Sequence, residues 1–314
     1  MSYWKKKAAI LSLSQTTVRV FAPAKINLTL HVTGQQRDGY HILDSLVVFA
    51  PFGDTLTIQR AKTLTLMVEG PERLDVPEDM ENLVLKVARM LSPDHAAQIV
   101  LTKNLPAASG MGGGSADAAA ALRGLLQFWR MGDMAKMGDA ALRPYAKQLL
   151  ELGADIPMCM MSSPARVRGI GEKVDLLPGL PPLPALLVNP RLPVSTAEVF
   201  DQLRPKISPP MPETIPQFSG VADFVAWLGQ QRNDLQATAL KLQPGIAEVL
   251  DRLEKSDRAM LTRMSGSGAT CFALFPDKAS AIVAGELIRR DRPEWWVAGG
   301  ILGDQKAKAM PVVS

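Results

Sequence analysis

Residues 104–117 read Asn-Leu-Pro-Ala-Ala-Ser-Gly-Met-Gly-Gly-Gly-Ser-Ala-Asp and run directly into an alanine-rich amphipathic segment. Four glycines within five positions (Gly110, Gly112, Gly113 and Gly114) let the backbone turn tightly and remove side chains that would block a bulky anion. Beyond them, small or apolar residues at Ala118, Ala121, Leu122, Leu125, Phe128 and Trp129 follow a helical repeat. A glycine-rich loop feeding a helix N-terminus presents unpaired N–H groups and a partial positive charge, which makes it a phosphate site. It is not a Walker A loop, because no Gly-Lys-Ser/Thr follows at the required spacing. Nor does it carry the Gly-x-Gly-x-x-Gly dinucleotide fingerprint in a strand–turn–helix context. The competing reading is a flexible surface loop, but such a loop rarely packs glycines so tightly at the mouth of a well-patterned helix.

The 314 residues suffice for one large or two ordinary domains. Lys and Arg exceed Asp and Glu by 35 − 31 = 4, and the one dense basic run is Lys5-Lys6-Lys7. A nucleic-acid binder usually clusters its charge on one face or helix; small anionic substrates suit this balance as well as nucleic acid does, and they, not nucleic acid, are the expected partners. Cys159 and Cys271 lie far apart without paired spacing, and the three histidines are scattered. This argues against a disulfide framework or a Cys/His metal site and fits a reducing compartment. No apolar run approaches the roughly 18–20 residues of a membrane span. Residues 1–17 carry lysines and hydroxyl residues, with no acid before Asp38, a composition shared with plastid transit peptides. The segment is short and its first arginine is Arg19, so a disordered extension of a bacterial cytoplasmic protein is the preferred expectation.

Alternation around Val18, Val20, Ile26, Leu28, Leu30 and Val32, interrupted by Pro23, predicts strand structure over 18–33. Further strands are expected over 42–50, 54–68 and 98–101, near 165–168 and 185–188, and over 259–264, 270–275 and 295–302. Helices are expected over 81–91, 139–152, 221–230, 233–241, 244–256 and 277–290. Five prolines between Pro205 and Pro216 mark a connecting loop, with a proline-recognition motif as the alternative. The irregular mixture of strands and helices favours an α+β class over a doubly wound parallel sheet.

Two charged residues stand out. Lys25 lies in an otherwise apolar strand, where the alternative to a functional role is a sheet-edge lysine snorkelling to water. Asp155 follows the helix-ending Gly153 in an apolar stretch and is either a satisfied cap or a catalytic group. Three segments then form a set: Ala22-Pro23-Ala24-Lys25-Ile26-Asn27-Leu28, the loop from Pro106 to Asp117, and Arg263-Met264-Ser265-Gly266-Ser267-Gly268-Ala269-Thr270. This set and its order resemble the GHMP kinase superfamily. Within it, the strings at Arg37–His41, Glu81–Leu83, Leu152–Pro157, Pro193–Thr196 and Arg232–Leu235 resemble members that phosphorylate a cytidine diphospho-polyol on the non-mevalonate route to isoprenoids. The resemblance spans about residues 18–303.

The resemblance implies a two-domain α+β fold. Residues 18–180 would form the N-terminal nucleotide-binding domain, a mixed β-sheet with helices. Residues 181–314 would form a C-terminal domain, a ferredoxin-like α/β sandwich. It further implies ATP as co-substrate, magnesium with it, and Asp155 as acceptor of the substrate hydroxyl proton. A Lys25 ammonium nearby would hold Asp155 ionised and offset charge on the transferred phosphoryl group. Ala108, Ser109, Gly110, Gly112, Gly113, Gly114 and Ser115 would cradle phosphates through N–H groups and hydroxyls. Gly266, Ser267 and Gly268 would close over them, and Ser115 is the candidate magnesium ligand. Asn82, Leu83 and Lys103 are expected on the adenine side, although Lys103 reads equally as a surface lysine. Asn27 is expected on the polyol. Tyr40 and His41 suit the cytosine, through stacking and hydrogen bonding, with Phe200 as the aromatic opposite; without the resemblance Phe200 reads as a helix core residue. Rival readings are a homoserine, mevalonate or sugar kinase of the same superfamily, and a non-catalytic nucleotide-binding paralogue. The chain departs from the pattern at Met111, Ala116, Met158, Cys159 and Arg168, the last raising the question of how the substrate diphosphate is held.

Overall fold

Strand β1 (Val18–Asn27) lies between the long β3 (His41–Gln59) and the short β12 (Val312–Val313), antiparallel to both. These strands belong to a computed structural model that describes residues 16–132, 140 and 142–314. β3 is the hub of the first sheet. It pairs also with β2 (His31–Gln35), β5 (Gln98–Thr102) and β6 (Ala165–Gly169). β4 (Thr65–Glu69) runs parallel to β5, and β7 (Lys173–Leu176) antiparallel to β6, making the sheet mixed. The segments expected as strands 42–50 and 54–68 are thus one strand running to Gln59 and a separate β4. The alternation changes phase across Pro51-Phe52-Gly53, with Val47 and Phe49 on the helix side before it and Leu56 and Ile58 after it, yet β3 continues through it.

Helices α1 (Leu83–Leu91), α2 (Gly113–Phe128), α3 (Ala146–Leu152) and α4 (Ile156–Met161) cover one face of this sheet. The alanines of α2 let it approach β1 and β3 closely. At Gly124 a β-carbon would stand 2.6 Å from Ile58 and 2.8 Å from Val20, so a larger residue there would overpack the contact. The helix expected over 139–152 is α3 preceded by a 3-10 turn at Arg143–Tyr145; residues 139 and 141 lie outside the described residues.

A second, antiparallel sheet has the order β11-β8-β10-β9, formed by β8 (Leu183–Asn189), β9 (Leu261–Met264), β10 (Cys271–Leu274) and β11 (Trp296–Leu302). Between β8 and β9 come α5 (Thr196–Gln202), α6 (Val221–Gly229), α7 (Gln236–Leu242) and α8 (Gly245–Glu254); α9 (Lys278–Asp291) joins β10 to β11. This is the β-α-β-β-α-β order of a ferredoxin-like sandwich. The last residues return to the first sheet through β12, and Thr17 and Ser314 exchange two backbone hydrogen bonds of 2.9 Å. Thr17 is therefore paired, although the sequence places it in the extension; residues 1–15 lie outside the described residues.

The sheets face each other across a core that includes Ile26, Leu28, Leu46 and Val48 from the first and Leu187, Phe272 and Leu274 from the second. The even-numbered apolar residues expected on one face of 18–33 divide between cores. Val18, Val20 and Ala22 face the helices, whereas Ala24, Ile26 and Leu28 face the second sheet. The cause is a register shift between Pro23 and Lys25. Pro23 opposes Gly53, where a β-carbon would lie 2.0 Å from the Ala22 carbonyl oxygen. One irregular step reverses which face each later side chain takes. Lys25 and Asn27 are thereby left on the helix side.

The proline-rich segment after α5 is a strap laid across the first sheet, which places it as a connection. Arg166 fastens it: the guanidinium pairs bidentately with Asp44 (2.8 and 2.7 Å) and donates to the Pro212, Glu213 and Met211 carbonyls. Asp44 also accepts the Met211 N–H at 2.9 Å. Both side chains are buried. Arg166→Met would leave the Asp44 carboxylate buried without its counter-charge, a loss of about 3–5 kcal/mol. We expect a matching fall in the urea unfolding free energy, and an unchanged midpoint would show that the clamp does not hold the fold.

Candidate active site

The glycine loop lies where the two halves meet. At Gly110, with φ +75°, a β-carbon would stand 2.4 Å from the Ser265 carbonyl oxygen and 2.8 Å from that of Gly268. The two loops therefore touch backbone to backbone. Ser265 donates its hydroxyl to the Gly110 carbonyl at 3.1 Å, and the Thr270 N–H reaches the Ser109 carbonyl at 3.2 Å. Asn233 holds the second loop by donating to the Met264 and Gly266 carbonyls, both at 2.8 Å. Buried Arg263 beneath it donates to the Leu28, Leu228 and Gln231 carbonyls, and burial lowers its pKa to about 10.

Gly112 caps α2 in the left-handed region at φ +62°, and a β-carbon there would stand 2.9 Å from Lys25 Cε. Lys25 Nζ donates to Asn27 Oδ1 at 2.7 Å and pairs with Asp155 Oδ2 at 3.0 Å. Asn27 is fixed in turn by donating to Ser45 Oγ at 2.7 Å. Lys25 is buried, so the sheet-edge alternative does not describe it. Asp155 precedes α4, yet its side chain makes no capping bond and turns to Lys25, with 39% of its side chain exposed. The geometry is that of an accessible carboxylate held by a buried ammonium, and not of a cap.

Three adjoining concavities meet here. The central one, ≈ 320 Å³, brings together Lys25, Asn27, Asp155, Ser267 and the glycine loop from Ala108 to Ser115. A second, ≈ 240 Å³, shares Leu83, Ala108, Gly113 and Gly114 with it and adds Asn82, Lys103 and Asp117. The third, ≈ 760 Å³, shares Ser115, Asp155, Thr196 and Phe200 and adds Tyr40, His41 and Asp38. Gly268 does not line any of the three; it packs on Met264 and Ile246.

Several expected residues are placed differently. Lys103 is not a surface lysine: it is buried between Asp54 and Asp117, donating to both, at 2.8 Å to the latter. Burial works against its charge, but the two carboxylates outweigh it and raise its pKa. Asp117 is held well above the usual carboxylate range by burial and by Asp54, which Lys103 offsets in part. Asp54 also accepts the Asn104 and Leu105 N–H groups (2.6 and 3.0 Å), so the cluster anchors the start of the glycine loop. Asn82 is the N-cap of α1, accepting from the Val84 N–H at 2.9 Å and donating to the Pro77 carbonyl. Phe200, expected across the base from the stacking Tyr40, lies against His41. Their rings stack at 4.8 Å, and Tyr40 is 58% exposed at the rim. Among the described residues His41 Nε2 is buried without a hydrogen-bond partner, and burial, then the Lys206 ammonium, lowers its pKa. Arg168 lines none of the three concavities and pairs with Asp175 (2.8 Å) and Glu213 (3.2 Å). Ser45, and Thr196, which meets Ser267 Oγ at 2.7 Å, were missed. Only the Ser195-Thr196 pair at the start of α5 carried any local signal.

Comparison with known proteins bears on this arrangement. Residues 82–163 match the GHMP kinases N terminal domain and residues 218–289 match GHMP kinases C terminal. A 4-diphosphocytidyl-2-C-methyl-D-erythritol kinase from Roseobacter denitrificans is 49% identical over 95% of this chain and 97% of its own length. The chain belongs to this family of GHMP kinases. A second member, from Ruegeria pomeroyi, is also 49% identical, over 90% of this chain and 98% of its own. A crystal structure of a 4-(cytidine 5'-diphospho)-2C-methyl-D-erythritol kinase matches the fold with a TM-score of 0.70 at 29% identity, covering 91% of this chain and 99% of that one. A homoserine kinase from Cytophaga hutchinsonii, 19% identical with a TM-score of 0.63 over 96% of this chain and 98% of its own, shares the fold alone.

Because the loop contact is backbone to backbone, it tests directly. Gly110→Ala introduces a methyl that only backbone movement can accommodate. Displacement of about 1 Å in a positioned site costs on the order of 100-fold, so turnover should fall by at least that while far-UV circular dichroism stays unchanged. Retained turnover would separate the loop contact from the chemistry.

Proposed function

We infer that this protein transfers the γ-phosphoryl group of ATP to the 2-hydroxyl of 4-diphosphocytidyl-2-C-methyl-D-erythritol, the compound whose kinase its relatives are named as. The observation that carries the reading is the Lys25–Asp155 pair in the central concavity, with Asp155 shared with the third, beside a glycine-rich helix N-terminus. ATP takes the smaller concavities, with adenine beside Leu83 and Asn82 and the phosphates on the N–H groups of the glycine loop and the start of α2. The cytidylyl substrate takes the third, with its hydroxyl toward Asp155. The homoserine, mevalonate and sugar alternatives give no use to an unpartnered imidazole nitrogen stacked beside an aromatic ring.

Within this reading Asp155 accepts the hydroxyl proton as the oxygen attacks in line, and Lys25 orients the carboxylate and faces the charge on the moving phosphoryl group. Asn27 aims Lys25. Magnesium is proposed with ATP. Among the described residues no cluster of three or more His, Cys, Asp or Glu could hold it, and Asp117, two residues beyond Ser115, is committed to Lys103. The donor set fits an ion carried mainly by ATP's own phosphates, with the Ser115 hydroxyl as protein ligand. When bound, it would neutralise phosphate charge.

Asp155→Asn keeps the shape but cannot take the proton as a carboxylate does. Turnover should fall about 100- to 10,000-fold while ATP binding, followed by calorimetry, persists. Near-normal turnover would return Asp155 to a structural role. His41→Ala should raise KM for the cytidylyl substrate far more than KM for ATP. The lost hydrogen bond is worth roughly 1–3 kcal/mol, or about 5- to 150-fold. Equal effects on both substrates would move the cytosine elsewhere.

A further inference from the structure

The cytidylyl-side concavity takes in a residue of the strap, Lys206. It is the sole lysine or arginine around that concavity among the described residues; the acids there are Asp38, Asp155 and Asp201. Two of these three are engaged elsewhere: Asp155 is neutralised by Lys25, and Asp38 accepts the Tyr40 N–H at 3.2 Å. Lys206 is half-buried and forms no ion pair among the described residues. His41, stacked on Phe200 in the same concavity, has its pKa lowered by burial and then by the Lys206 charge.

Lys206 is also held on both sides. Upstream, the Leu203 N–H meets the Phe200 carbonyl and Arg204 donates to the Asp201 and Leu203 carbonyls. Downstream, the Ser208 N–H reaches the Val32 carbonyl at 2.8 Å, before the Arg166–Asp44 clamp. A cation so placed, in no ion pair among the described residues, is available to a ligand. The cytidylyl substrate has one strongly anionic part between its base and its polyol, the diphosphate, and an ammonium on a flexible stem suits it as a point charge.

We propose that Lys206 is a specificity-determining residue that binds the diphosphate of the cytidylyl substrate. The proposal rests on the functional reading above and adds the group that recognises the substrate's charge. Lys206→Met should raise KM for the cytidylyl substrate about 10- to 100-fold, the range for a hydrogen bond to a charged group, with kcat and KM for ATP little changed. Lys206→Arg should recover most of the loss. The decisive comparison uses CDP and cytidine as competitive inhibitors against the cytidylyl substrate. CDP inhibition should weaken in Lys206→Met in the same proportion as KM, while cytidine inhibition stays as it was. Equal weakening of both would mean that Lys206 only shapes the pocket, and a larger effect on KM for ATP would assign it to the nucleotide phosphates; either overturns the proposal. If the unaltered protein fails to turn over the cytidylyl substrate, the functional reading itself falls. If it turns the substrate over and Lys206→Met leaves KM and CDP inhibition unchanged, only the assignment of Lys206 falls.

Discussion

The whole site depends on two stretches of backbone approaching with nothing between them. The glycine loop of the first half and the Ser265–Gly268 loop of the second meet through carbonyls and α-carbons, and at Gly110 no side chain fits. Such contact brings peptide groups together away from water, where each needs a partner. The protein supplies them from fixed side chains. Ser265, Asn233 and Arg263 donate to carbonyls on both sides of the seam. The Arg-Asn-Asp-Leu string near residue 233 is explained by this duty: Asn233 holds the loop, and Asp234 accepts the Val32 N–H at 2.8 Å.

Two buried ammonium groups near the same loop do opposite work. Lys25 has one carboxylate, partly exposed, and stands in the central concavity. Lys103 has two, both buried, and its charge is consumed in tying β5 and α2 to the start of the loop. Removing either partner from a buried set strands a charge. The second cluster is therefore a mechanical support that happens to be built from ions, while the first leaves part of its charge facing outward.

Much of this was legible in the sequence where chemistry and spacing coincide. The glycines, the lysine in an apolar strand and the aspartate after Gly153 each break a local pattern, and each break lies at the site. The secondary structure followed its periodicities closely, and the ferredoxin-like second half was expected. Other features were hidden because only the fold creates them. Nothing local tells that Lys103 meets Asp54 and Asp117, that Phe200 rests on His41, or that Arg168 is drawn away by Asp175 and Glu213. Ser45 and Lys206 carry no signal at all. One lies mid-strand, and the other lies in a segment whose prolines say only that it connects.

The irregular step at Pro23 and Gly53 bears on how Lys25 came to face the central concavity. Alternation alone would put Lys25 opposite Val20 and Ala22, toward the second sheet and its apolar core. The phase slip inverts that assignment for every later residue of β1. An ammonium in the inter-sheet core would have no partner and would cost the fold dearly. The same ammonium one phase later meets Asp155. Lys25 is thus placed as much by a fault in the ladder two residues upstream as by its own side chain. A substitution that made β1 more regular would improve the strand while turning Lys25 away from Asp155.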